Sequence, residues 1–546
     1  MASRQPRAGV RQQDRRVRLN GMLDFSVPDI DATAGHTVET RPKAVAAWLD
    51  RLPYADPVTT ARQLFAALHA LNRHPLGADD RHALLAQYRP AVARAAASLE
   101  AQLADFSVPP NAQQRQVGAL LRDLRMEHSI GYKHLLRALD DQRFGRPNAR
   151  RLAEFTARLA TALRDVQAAS FLTCTPPPAG LWQDLHQLHA YAQVSNVAEL
   201  PTEGVPTTSL AYRQALLLAL ADPPRMSPAE LAHTRLYLDR YAALAGLTYG
   251  AVPGHLGFPV PREGDVPPAH AAAGASPGSQ WLDTDALCRH VHETGVRLRK
   301  GETPEQVDLP PGMDRSFTLS LFKKLLKEWG TQAQRTYKRY APAPGSTVQV
   351  VAGVSAIHRL LEQRPNADQG TQDDPDSLAI HDVRGMSAAP VTVNATVWTV
   401  TNESASGFAL SAAPDAPLNL KAGDPLALHA GHDTGWSVGV IRWIRMRDVR
   451  QIDLGVERLS PQVKPIWVRP LRGPRQSNAE PALFLPGLAA LKQTDRLLLP
   501  RHLYQPGMDA EVLDASRQTV LTFGRLLEYT PGFDLADFTL IADDPL

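Results

Sequence analysis

The sequence predicts a multidomain α+β protein, with an all-helical N-terminal domain, a small β-barrel and a β-rich C-terminal segment. Three observations carry this. From about Arg41 to Ala251, alanine, leucine, arginine and glutamine dominate, all good helix formers. Beyond Pro342 and Pro344 the apolar period falls from a helical spacing to two. Between these regions, residues 250–279 hold six prolines and six glycines, a composition that reads as a linker. A chain of 546 residues also exceeds what one ordinary core organises.

The elements follow in order. Residues 1–40 form a basic leader that the composition predicts to be disordered, with six arginines against the single acid Asp14 in its first 20 residues. The helical domain spans 41–250. Leu64, Phe65, Leu68 and Leu71 share one helical face, and Asp79-Asp80 charge the start of the next helix. Further helices are expected at about 112–139, 147–170, 180–197, 208–221 and 227–246, interrupted at Pro176-Pro177-Pro178 and Pro223-Pro224. After the linker at 251–279 comes a helical connector, 280–334. Its last helix, Ser316–Tyr340, has Leu321, Phe322, Leu325 and Trp329 on an apolar face. The barrel occupies 335–475. Its expected strands lie at 347–352, 391–400, 408–410, 426–428, 436–444 and 452–456. In the second of these Val391, Val393, Ala395 and Val397 alternate, and Trp398 and Trp443 are expected to pack in the core or at the rim. A polar stretch at 363–389 reads as an insertion loop. Residues 476–546 carry further short strands.

Bulk properties exclude several classes. The net charge of +3 is small for this size and does not argue for a dedicated nucleic-acid binder. Cys174 and Cys288 lie far apart, which fits a reducing compartment and excludes a disulfide framework. No apolar run approaches a membrane span, and the N-terminus lacks the apolar core of a signal peptide. A cytoplasmic protein is the expectation. In Cys288-Arg-His290-Val-His292-Glu293 the two histidines sit two residues apart on a helix and do not share a face, so a metal site is not expected. There is no P-loop Gly-Lys-Ser/Thr and no Gly-x-Ser-x-Gly elbow. No catalytic constellation emerges, and the chain is not expected to be an enzyme.

Two segments carry the ligand chemistry. Asn402-x-Ser404-x-x-Gly407 places two small polar side chains and a glycine at a strand-to-turn junction. Both polar groups can bond nearby backbone or a ligand edge. Arg335-x-x-x-Arg339 supplies two guanidiniums, each able to grip phosphate through paired N–H donors. In this order, with Leu420-Lys-Ala-Gly423, Val440-Ile-Arg-Trp443 and Leu454-Gly-Val-Glu-Arg-Leu459 following, the stretch Arg335–Pro461 resembles the PilZ family.

That resemblance implies a six-stranded barrel binding the bacterial second messenger cyclic di-GMP across its outer face. Arg335 and Arg339 would hold phosphates and stack on guanine. Asn402, Ser404 and Gly407 would meet base edges and shape the turn. Asn402 stands where the family usually has aspartate, and the gap from Arg339 is long. Arg384 lies closer but has no partner four residues away. The expected protein is thus a cytoplasmic cyclic-di-GMP receptor that couples nucleotide binding to rearrangement of the attached domains, with a protein partner on the helical domain. The alternative is a non-nucleotide-binding adaptor that keeps the PilZ fold as an interaction module in motility or envelope assembly.

Overall fold

In the computed structural model the residues described are 23–31, 38–140, 148–268, 280–310, 312–330, 340–363, 395–404, 406–413, 418–430, 435–448, 451–471, 478–487, 493–513 and 518–541. Arg335, Arg339 and Arg384 lie outside them. So do most of the basic leader, nearly all of the 363–389 insertion and the end of the Pro/Gly-rich stretch.

Helix formation in the N-terminal half follows from apolar stripes and good caps. Helices α1 (Pro42–Leu49), α2 (Pro57–Arg73), α3 (Ala78–Gln102), α4 (Ala112–Asp140), α5 (Ala149–Leu172), α6 (Leu181–Val194), α7 (Thr208–Leu220) and α8 (Pro228–Tyr241) make the bundle. In α2 the Asp56 side chain accepts from Thr59 N, and the stripe Leu64, Leu68, Leu71 is fully buried. Helix α8 opens with a reciprocal Ser227–Glu230 capping box.

The Pro/Gly-rich stretch contains structure. Strands β1 (Gly246–Tyr249), β2 (Gly257–Val260) and β3 (Gln280–Asp283) form a small sheet in the order β1-β3-β2, with Phe258 and Val260 buried. Helices α9 (Asp285–Arg299) and α10 (Arg315–Gly330) pack back onto the bundle. The Trp329 indole donates to Leu217 O (3.0 Å), and Lys324 Nζ meets buried Glu230 at 2.6 Å. The helix expected to continue to Tyr340 is described only to Gly330, and Tyr340 is extended and bridged to a strand.

Two closed antiparallel barrels follow. The first has β4 (Thr347–Ala352), β5 (Thr396–Ser404), β6 (Gly407–Ala412), β7 (Pro425–Ala430), β8 (Ser437–Asp448) and β9 (Gln451–Ser460), in the order β4-β5-β6-β9-β8-β7. Helix α11 (Val354–Glu362) interrupts it after β4. The second has β10 (Lys464–Pro470), β11 (Glu480–Leu485), β12 (Arg496–Leu499), β13 (Asp509–Leu513), β14 (Gln518–Tyr529) and β15 (Asp534–Leu540), in the order β10-β11-β12-β15-β14-β13. Closure removes the open edges that isolated sheets expose. The C-terminal segment is therefore a barrel in its own right. Its first strand begins at Lys464, inside the span expected for the first barrel.

One parity differs from expectation. Val397, expected on the apolar face of its strand, is 64% exposed, whereas Trp398 and Val400 are buried. The large indole takes the core position, and the neighbouring valine faces out. The core of the first barrel is continuous with that of the helical bundle. Helix α11 wedges between the barrels, where Val354 and Ile357 join Leu483, Leu498 and Phe533. No helix among the described residues is long and apolar enough to cross a membrane.

Candidate functional site

The β5–β6 hairpin carries Asn402, Ser404 and Gly407, and its register decides where they point. Val400 pairs with Leu410, Leu410 with Leu454, and Leu454 with Ile444, all in the barrel core. Simple alternation would send Asn402 to the same inner face as Val400. A bulge at Thr401 inserts one extra residue, so Asn402 pairs with Ala409, on the opposite face. Thr401 Oγ1 fastens the bulge by donating to Ala409 O at 3.1 Å.

That outer row continues across the sheet. Ala409 pairs with Gly455, and Gly455 with Trp443. Asn402, Ala409, Gly455 and Trp443 therefore line one face over three strand spacings, about 14 Å. The two middle residues are small and buried, so the row forms a low shelf that begins at the Asn402 amide and ends under the Trp443 indole. The Trp443 ring lies over Gly455, where any Cβ would collide with it. Trp398 packs in the core as expected. Trp443 packs too, but on the outside of the barrel, half-buried.

The rest of the motif closes the turn. Ser404 Oγ donates to Gly407 O (3.3 Å) and lies 3.2 Å from Ser406 Oγ. A Cβ on Gly407 would run into the carbonyl of Val456 on β9, so close backbone approach demands glycine there. The Asn402 side chain makes no hydrogen bond to a described residue, which leaves its amide for a ligand. Two further groups bear on this end of the shelf. Arg458 donates its backbone N–H to Ser406 O (2.8 Å) and lays its guanidinium 4.7 Å from the Phe408 ring centroid. Tyr340 exchanges two backbone hydrogen bonds with Glu403, of 2.8 and 3.1 Å. The structure thus joins Asn402, Ser404 and Gly407 in one hairpin, and it brings the residue that follows Arg339 in the chain to that hairpin.

Sequence reasoning did not find the shelf itself. Gly455 and Arg458 stood in a stretch read only as closing the barrel, and their place depends on strand register, which single-strand patterns do not carry. The signals available were two, a glycine in the middle of a strand and an arginine beside it. Elsewhere, His290 Nδ1 is 2.7 Å from the Tyr237 hydroxyl while His292 and Glu293 are exposed, so this trio does not converge. Among the described residues no group of His, Cys, Asp or Glu is arranged to hold a metal ion.

A six-stranded barrel with Asn402-x-Ser404-x-x-Gly407 on an outward hairpin defines a PilZ domain. Comparison with known families agrees and goes further. Residues 43–253 match the family described as the cyclic-di-GMP receptor FimW N-terminal domain, 387–465 its middle PilZ domain, and 466–541 the FimW C-terminal beta-barrel domain. The chain belongs to the FimW family, with its PilZ domain in the middle. A relative from Pseudomonas aeruginosa, the cyclic-di-GMP receptor FimW, is 27% identical over 538 residues, an alignment covering 87% of this chain and 86% of that protein.

Proposed function

We propose that this chain is a cytoplasmic cyclic-di-GMP receptor, not an enzyme, and that the nucleotide lies on the outer shelf of the PilZ barrel. The observation that carries the reading is the outward row Asn402–Ala409–Gly455–Trp443, small in the middle, with an aromatic ring at one end and, among the described residues, an unbonded amide at the other. A planar purine needs such a surface for stacking and a fixed acceptor for its edge. The phosphates need cations, and Arg335 and Arg339 are the pair we assign to them. The bridge between Tyr340 and Glu403 supports this, since it tethers the chain one residue after Arg339 to the motif hairpin. The receptor named in the P. aeruginosa relative points to the same ligand.

Calorimetric titration of the purified chain with cyclic di-GMP tests the reading. Saturable binding is expected. A charge-assisted hydrogen bond contributes about 1.5–3 kcal/mol, so Arg335→Ala and Arg339→Ala should each weaken binding by about tenfold or more. Absence of binding by the unmodified chain would reject the receptor. Unchanged affinity in both variants would move the phosphates elsewhere.

A further inference from the structure

A cavity of about 540 Å³ lies between the helical bundle and the first barrel. Its floor is the outer face of β8 and β9, with Trp443, Arg445 and Asp453. Its wall comes from the bundle, with Trp182, Pro177 and Pro224. Trp443 is also the last residue of the shelf, so shelf and cavity are one surface that runs under the helical domain.

The lining has a definite chemistry. Flat indole and proline rings favour a planar, weakly hydrated guest. Arg447 is neutralised by Asp453, with Nε–Oδ2 2.5 Å. Arg445 is not. It lies 5.6 Å from the Trp443 ring centroid, and among the described residues it makes no ion pair. An arginine stacked on an indole with its N–H fork unspent is suited to an anion attached to a planar ring.

The wall is held in place at some cost. Cys174 and Asp222, both lining the cavity, take left-handed backbone conformations at φ 53°, where glycine is the usual residue. Left-handed backbone in a non-glycine residue is strained, and such residues concentrate at ligand clamps. Cys174 O accepts from Met446 N at 2.8 Å, which registers the bundle against β8 at the cavity edge.

We propose that this cavity is a second subsite for the same ligand. One purine–phosphate half of the cyclic dinucleotide enters it, its base between Trp443 and the bundle wall and its phosphate on Arg445. The helical domain is then part of the binding site, not a bystander. This rests on the receptor reading above.

The test is titration of the full-length chain and two variants with cyclic di-GMP. Arg445→Glu reverses the charge on an exposed side chain, and Ala219→Phe fills the cavity from the bundle side. Binding is expected to weaken at least tenfold in each, with the melting temperature of Arg445→Glu unchanged. Wild-type affinity in both variants overturns the subsite and leaves the receptor standing. Loss in Arg445→Glu alone, with Ala219→Phe folded and binding normally, also overturns it, since the contact is then made from outside the cavity. Should Ala219→Phe fail to fold, Ala219→Leu takes its place as the smaller cavity-filling variant, read by the same outcomes. If the unmodified chain binds no cyclic di-GMP, the receptor reading falls and the subsite falls with it.

Discussion

Asn402 shows how one inserted residue sets a site. Without the bulge at Thr401, its side chain would share the inner face with Trp398 and Val400, where an unbonded amide is expensive to bury. With the bulge it faces outward at the end of the shelf. The motif was legible in the sequence, and so was its place at a strand end. The outward aim was not, because a bulge is defined by the partner strand. The same limit explains Val397, whose alternation with smaller residues masked the preference of Trp398 for the core. Asparagine can offer guanine only a neutral acceptor, whereas a carboxylate accepts more strongly from a pair of N–H donors. Asn402→Asp is therefore expected to tighten cyclic di-GMP binding in a titration. Weaker binding in that variant would mean that the amide N–H groups carry the contact, and the acceptor argument would fail.

At the scale of elements, helices with a strong stripe and a cap were legible almost to the residue, as in α4 and α7. So was β4, where Val348 and Val350 alternate with exposed Thr347 and Gln349. Strands β10 and β13 were not. Lys464–Pro470 has a proline near each end, and Asp509–Leu513 has too few apolar residues to stand out from its flanks. Helix α11 was hidden for another reason. Its apolar side is needed only because two barrels meet there, a requirement no local pattern expresses. The turn Leu420–Asp424 is also an element whose role lies in what it touches. Leu420 exchanges backbone hydrogen bonds of 2.8 Å with Val108 of the bundle, and Lys421 pairs with Asp105. Gly423, at φ 95°, leaves no room for a Cβ, which would stand 2.8 Å from Pro531 of the second barrel. Burial in this junction pushes the Asp424 carboxyl up to about 6, against the 3.8 of a free aspartate, although Lys421 N–H donates to it at 2.7 Å. A carboxyl whose pKa is raised by folding favours the folded state when protonated. That contribution is full below pH 4 and is lost as pH rises through 6. Asp424→Asn keeps an oxygen acceptor for Lys421 without the buried charge. Its melting temperature relative to wild type should therefore be higher at pH 7.5 than at pH 4.5. A difference independent of pH would show that Asp424 is not charged against its surroundings.

At the scale of the whole molecule, the helical bundle and the second barrel both meet the PilZ barrel. The bundle holds β8 through Cys174 and the Leu420 turn. The second barrel is tied on by Arg442, which binds Glu528 through its two terminal guanidinium nitrogens and Glu457 through Nε at 2.6 Å. Burial works against the Arg442 charge, but these carboxylates outweigh it and hold its pKa above the ordinary arginine value. Glu457 in turn pairs with Gly407 of the motif. None of these contacts was legible in the sequence, since each joins residues tens to hundreds of positions apart with no local signature. They bear on how a ligand could be felt beyond its own site. A ligand shifts a conformational equilibrium only by its differential affinity for the two arrangements. A nucleotide confined to the hairpin would touch only Tyr340 and the 400–408 turn, and would leave the bundle indifferent. One that also fills the cavity contacts the bundle wall, and so favours the docked bundle over an undocked one. Hydrogen exchange on addition of cyclic di-GMP separates these cases. Slower exchange is expected at 340–347 and 400–408 from the hairpin contacts. It is expected as well at 173–182, where the α5–α6 turn forms the wall. Arg442→Ala releases Glu528 of the second barrel but leaves the backbone pairing of Glu457 with Gly407 intact, so all three responses should stay in place. Protection limited to the hairpin, with 173–182 unchanged, would keep the nucleotide on the PilZ barrel alone and remove the helical domain from the response.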